Sequence, residues 1–192
     1  MVQVQSQAKS VCFWLTLYKV AFPLLHVEHL NALGWKISSV GGGHDEIVQA
    51  GRKLAQELGF PVTQEGCMVS LKFNLDKNAK MTPEMAALLR RAVEIENNDV
   101  CITSEEIVAV TGGTPYLDVE DVTTARWIRI HLVTGMLFCA PTGAKFHLAV
   151  DERSSGATET VFFKDTIYNQ TLLVKEEIDN HPIRQAYLST LA

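Results

Sequence analysis

From Met68 to Leu75, Val69, Leu71, Phe73 and Leu75 alternate with Met68, Ser70, Lys72 and Asn74. That two-residue period predicts a strand with one buried face. Between Glu46 and Leu58 the period changes: Ile47, Ala50, Leu54 and Leu58 recur at steps of three and four, the stripe of an amphipathic helix. Asp45 is placed to cap its start, and Gly59 followed by Phe60 and Pro61 to stop it. A second helix is predicted from Pro83, with Thr82 before it, Met85, Leu88, Leu89, Ala92 and Ile95 inward, and Asn97-Asn98 as its exit. Pro23 suits the first turn of a helix carrying Leu24, Val27, Leu30 and Leu33, ended by Gly34, and Trp35 to Val40 reads as a strand.

Other stretches are less one-sided. Residues 1–9 are polar, Gln-rich and read as a loose tail, whereas Val11, Phe13, Leu15 and Leu17 favour a strand, with a helix as the alternative. Thr103-Ser104-Glu105-Glu106 has capping-box spacing and predicts a short helix ending at Gly112-Gly113, although Val108 and Val110 leave a strand open. Asp118 is placed to cap a helix carrying Val122, Ala125, Ile128 and Leu132, while Trp127 to Val133 also alternates as a strand would. Residues 136–140 and 144–150 form a predicted hairpin around Pro141-Thr142-Gly143, followed by strands near 160–168 and 171–176. A final helix is expected from Pro182, presenting Ile183, Ala186, Tyr187 and Leu191.

Together these predict an α+β fold: an N-terminal β-α-β-α-β half, residues 10–76, and a half of helices and antiparallel strands, residues 82–192, in two domains or one compact one. The order of elements over 82–150 resembles a winged-helix layout. That resemblance implies a recognition helix at 118–134, with Arg126, Arg129 and Lys145 as the groups to meet DNA. Charge argues against this use, because residues 82–150 hold five Lys or Arg against nine Asp or Glu.

Composition adds limits. At 192 residues with 47% hydrophobic and 20% charged residues, the chain can bury a core without disulfides or metals. Its net charge of −5 offers no general attraction for phosphate or anionic lipid. Cys12, Cys67, Cys101 and Cys139 stand too far apart for a ligand pair, so they read as reduced thiols of a cytoplasmic protein. The apolar run 11–18 is too short to span a membrane.

Three spots carry candidate chemistry. Gly41, Gly42, Gly43 and His44 join a strand to a helix N-terminus, where bare N–H groups can receive a small anion, although Asp45 and Glu46 oppose one. His26 and His29, three apart on a helix, supply two zinc-type ligands without a third, so no metal site is expected. His131, His147 and Cys139 lack any residue that would orient a nucleophile pair. No cofactor is expected. The function this predicts is a non-enzymatic interaction or structural subunit of an intracellular assembly, self-associating or bound to a protein partner through Ile183, Tyr187 and Leu191. A DNA-binding regulator is one alternative. A protein or enzyme that takes a small anion at the Gly41–His44 loop is the other.

Overall fold

The computed structural model describes residues 2–5, 24–72, 81–149 and 158–192. Among the described residues, eleven strands and five helices follow one another as β1 Val2–Gln5, α1 Leu24–Ala32, β2 Lys36–Ser39, α2 His44–Glu57, β3 Met68–Lys72, α3 Pro83–Asn97, β4 Val100–Ile102 and β5 Glu106–Gly112. The chain continues through β6 Tyr116–Asp121, β7 Arg126–His131, β8 Met136–Ala140, β9 Lys145–Ala149, β10 Thr158–Phe163, β11 Leu172–Val174, α4 Glu176–Asp179 and α5 Pro182–Leu191. The α+β class is thus present, with antiparallel sheets. The strand expected at 11–17 and the end of the one expected at 68–75, residues 73–75, lie outside the described residues.

Two sheets organise these strands, one ordered β1-β7-β6-β9-β4-β11 and the other β2-β8-β5-β10-β3. Their shared interior holds the main core, to which β6 gives Leu117 and Val119, β9 gives Phe146 and Leu148, and β10 gives Val161 and Phe163. The five-stranded sheet is buried on its other face as well. There Ile107, Ala109, Leu137, Cys139 and Phe162 pack with Ile47 and Ala55 of α2. Gly51 is what lets α2 lie this close, since a Cβ at that position would come within 2.7 Å of the Phe162 ring.

The winged-helix resemblance does not survive. Where helices were expected at 104–111 and 118–134, the chain forms β5 and the hairpin β6-β7. The reason lies in burial: a strand covered on both faces reads as one apolar run, and its polarity does not separate it from a helix. Asp118, expected as a cap, faces Arg129 across the β6-β7 ladder. At the hairpin's turn Asp121 accepts hydrogen bonds from the Thr123 N–H, the Thr123 hydroxyl and the Thr124 hydroxyl, and Ala125 adopts φ +53°. The tail expected at 1–9 contains β1, because the edge of β7 supplies ladder partners that the polarity of the tail cannot reveal.

The two strongest helices form as expected, with different starts. Thr82 caps α3 by accepting from the Met85 N–H at 3.2 Å. α2 begins one residue before Asp45, and the Glu46 carboxylate accepts from the Gly43 N–H at 2.9 Å. Among the described residues, no helix is long and apolar enough to cross a membrane.

Candidate active site in the interior between the sheets

Between the sheets, α3 and the inner faces of β5, β6, β8, β9 and β10 enclose a cavity of about 30 Å³. Such a volume admits roughly one or two water-sized groups. Its wall is apolar, made by Leu88, Ala92, Ile95, Val108, Leu117, Phe138, Phe146, Leu148 and Val161, except for three charged side chains: Arg91, Glu106 and Glu159.

Strand periodicity explains how carboxylates come to be inside. Glu106 shares the parity of Val108 and Val110 on β5, and Glu159 that of Val161 and Phe163 on β10, so both follow the interior face. Helical spacing does the same for Arg91, which shares the buried stripe of α3 with Leu88, Ala92 and Ile95. All three are buried, at 8% exposure for Arg91, 4% for Glu106 and 5% for Glu159.

The Arg91 Nη2 donates to Glu106 Oε2 at 2.6 Å, and the guanidinium also lies 5.8 Å from the Phe163 ring centroid. That pair settles two of the three charges. Burial pushes the Glu106 carboxyl above its ordinary range, against the pull of Arg91. Glu159 is pushed up to about 7, first by burial and then by the charge of Glu106. Its Oε1 has no hydrogen-bond partner. A buried polar atom without a partner, facing free volume, is a point at which a bound water or ligand group would be held. A carboxyl that exchanges its proton near neutral pH is also suited to acid–base work.

None of the candidate site residues read from the sequence lies in this wall. Gly41, Gly42 and Gly43 form an exposed turn, and the free N–H of Gly43 is already taken by Glu46. His44 lies 3.0 Å from its neighbour Asp45. Of the basic groups assigned to DNA, Arg129 binds Asp118 through Nε at 2.7 Å and Nη2 at 2.5 Å, Lys145 pairs with Asp179 at 2.6 Å, and Arg126 is exposed on β7. Arg129 and Lys145 are thus held within the sheet and to α4, and among the described residues no recognition helix carries the three. His29 bonds Asp121, His131 stacks on Tyr116, and His147 lies 3.9 Å from Asp99, while Cys139 is buried on the α2 side of the other sheet.

On α5, Tyr187 is buried and donates its hydroxyl hydrogen to the Leu33 carbonyl at 2.9 Å, Leu191 packs on the main core, and Ile183 is half-buried. Arg184 is buried too, donating to the Gly143 carbonyl at 3.1 Å and pairing with Glu120.

No family model matches the chain. It is 34% identical over 84 residues to an acireductone dioxygenase of Puccinia graminis f. sp. tritici, a match covering 44% of this chain and 46% of the relative. The match thus spans about half the length of that curated relative. Among solved structures it is similar to acireductone dioxygenase from Bacillus anthracis, described with a cadmium ion in its active centre. The identity is 13% and the TM-score 0.56, over 86% of this chain and 94% of that one. The chain shares that protein's fold.

These likenesses correct the expected function. The sequence relative and the fold neighbour both bear the names of enzymes, so the reading as a non-enzymatic interaction or structural subunit, with association as its role, is overturned.

A bound cation of the kind named for the fold neighbour does not fit the residues present here. Among the described residues, no three His, Cys, Asp or Glu side chains converge as a ligand set. In the cavity, the guanidinium of Arg91 already occupies Glu106. The signal for the site in the sequence is that Glu106 and Glu159 stand among strongly apolar strand residues, where an unpaired carboxylate is costly.

Proposed function

We propose that the chain is an enzyme acting on a small reductone or the related α-hydroxyketone whose oxygen pair enters the interior cavity, with Arg91 holding the ligand's oxyanion and Glu159 exchanging its proton. The observation that carries this reading is the buried Glu159 with an orphaned Oε1 beside the Arg91–Glu106 pair, in a cavity otherwise apolar. The named substrate of the sequence relative and the fold neighbour supplies the chemical class: a reductone is an enediol conjugated to a carbonyl, and its anion spreads charge over neighbouring oxygens. A guanidinium carries five N–H donors in a planar fork suited to such an oxygen pair, more than the single bond from Nη2 to Glu106 takes up.

In the step assigned to Glu159, its carboxylate takes the proton from the carbon that bears the hydroxyl of an α-hydroxyketone. The C–H electron pair becomes the enediolate, whose charge faces Arg91. Return of a proton from the Glu159 carboxyl to the enediolate oxygen completes the enediol, and reversal regenerates the ketone. Atoms and charge balance, and no other reactant is consumed. A carboxyl near neutrality is suited to both directions. The apolar wall keeps bulk water from competing for the proton.

Two measurements test the reading. The stable cyclic reductone reductic acid should raise the Tm of the purified protein. Hydroxyacetone in D2O should exchange its carbon-bound hydrogens faster with protein than with buffer, as followed by nuclear magnetic resonance. Glu159→Gln should slow that exchange by roughly 10²- to 10⁴-fold. No Tm shift together with exchange no faster than in buffer would sink the proposal.

A further inference from the structure

We infer that the interior cavity of this chain is built around a resident guanidinium and works without a bound metal ion, Arg91 being the fixed cation that faces the cavity's carboxylates. The inference rests on the cavity itself and holds whichever ligand the site takes.

Three observations carry it. Among the described residues, the cavity's acidic groups are two, Glu106 and Glu159, and no His or Cys stands in its wall. Two carboxylates alone, with neither imidazole nor thiolate, suit a hard cation such as Mn2+ and not the softer transition metals. The space beside Glu106 is also filled: Arg91 reaches it at 2.6 Å from a helix that buries Leu88, Ala92 and Ile95 on the same stripe. A divalent cation at Glu106 would have to displace a buried guanidinium or sit against its positive charge, and either is unfavourable in a low-dielectric interior.

The donor set therefore differs in kind from that expected around a cation such as the cadmium named for the fold neighbour. Here the compensating charge is covalently part of the chain and cannot be lost to a chelator. Glu106 then acts as a positioning residue, holding the guanidinium at the cavity, and not as a metal ligand.

The test is metal content and metal response of the full chain, with no need for activity. Protein from cells grown in medium supplemented with iron, nickel, manganese and zinc should carry well below one ion per chain by elemental mass spectrometry. Its Tm should not respond to added Mn2+ or Cd2+ or to EDTA. Arg91→Ala, which leaves the two carboxylates without their cation, should gain a rise in Tm on adding Mn2+ that Arg91→Ala/Glu106→Gln lacks. A stoichiometric metal in the wild type that is lost in Glu106→Gln overturns the inference, and so does an Arg91→Ala variant whose Tm no divalent cation raises. If Arg91→Ala does not fold, the metal content of the wild type beside that of Glu106→Gln decides alone. Failure of reductic acid to bind bears on the proposed function and leaves this inference standing.

Discussion

At the residue scale, the interior acids make opposite demands on pH and packing. Glu159 ordinarily titrates at 4.5 and is pushed up to about 7 in the fold. The folded state therefore binds more protons than the unfolded one between these values, so stability falls as pH rises through that window. The stabilisation is complete below pH 4.5 and gone above about 7. Its size is roughly 3 kcal/mol, at about 1.36 kcal/mol per pH unit. Denaturant unfolding between pH 4 and 8 should show this slope, and Glu159→Gln should flatten it. Glu106 behaves differently, because it is already matched. Glu106→Gln leaves a buried guanidinium without its counter-charge and should cost about 3 to 5 kcal/mol in urea unfolding. A loss below 1 kcal/mol would mean that the pair is solvated and the cavity wet.

At the scale of elements, helix propensity and packing predict opposite signs for Gly51. In an exposed helix Gly→Ala stabilises by about 1 kcal/mol. In α2 the added Cβ would meet the Phe162 ring at 2.7 Å and the Ala109 Cβ at 3.3 Å, and both of those residues are fully buried. Neither can swing away, so packing wins. Gly51→Ala should destabilise by about 1 to 3 kcal/mol, as overpacked cores do, and a gain in Tm would show that α2 rides loosely on its sheet. α5 is held at definite points. Tyr187→Phe removes only its hydroxyl and leaves the Leu33 carbonyl short of a donor, so a loss of about 1 kcal/mol is expected by thermal or chemical unfolding.

At the scale of the molecule, the chain closes on itself through α5, which joins Glu120 of β6, Gly143 before β9 and Leu33 after α1. Deleting residues 180–192 should lower Tm strongly, as read by circular dichroism, since it uncovers core and leaves Glu120 unpaired; an unchanged Tm would show that α5 contributes nothing to the fold. What the sequence determined by itself was local. The stripes of α2 and α3, the Thr82 cap, the Gly59 stop and the alternation at Met68–Lys72 are encoded within a few residues of each other and formed as read, whereas Asp45 does not cap α2, and Pro141-Thr142-Gly143, expected to close a hairpin, joins β8 and β9 in different sheets. Only the tertiary structure decided β5, β6 and β7. β5 is apolar on both faces because one lines the shared interior and the other meets α2, and no short window of sequence records two distant partners. The cavity was hidden for the same reason. Arg91, Glu106 and Glu159 come from a helix and two strands up to 68 positions apart, and what makes them a site is their burial in one apolar space. Residue type is written in the chain, but the dielectric around a carboxylate is set only when the sheets close over it.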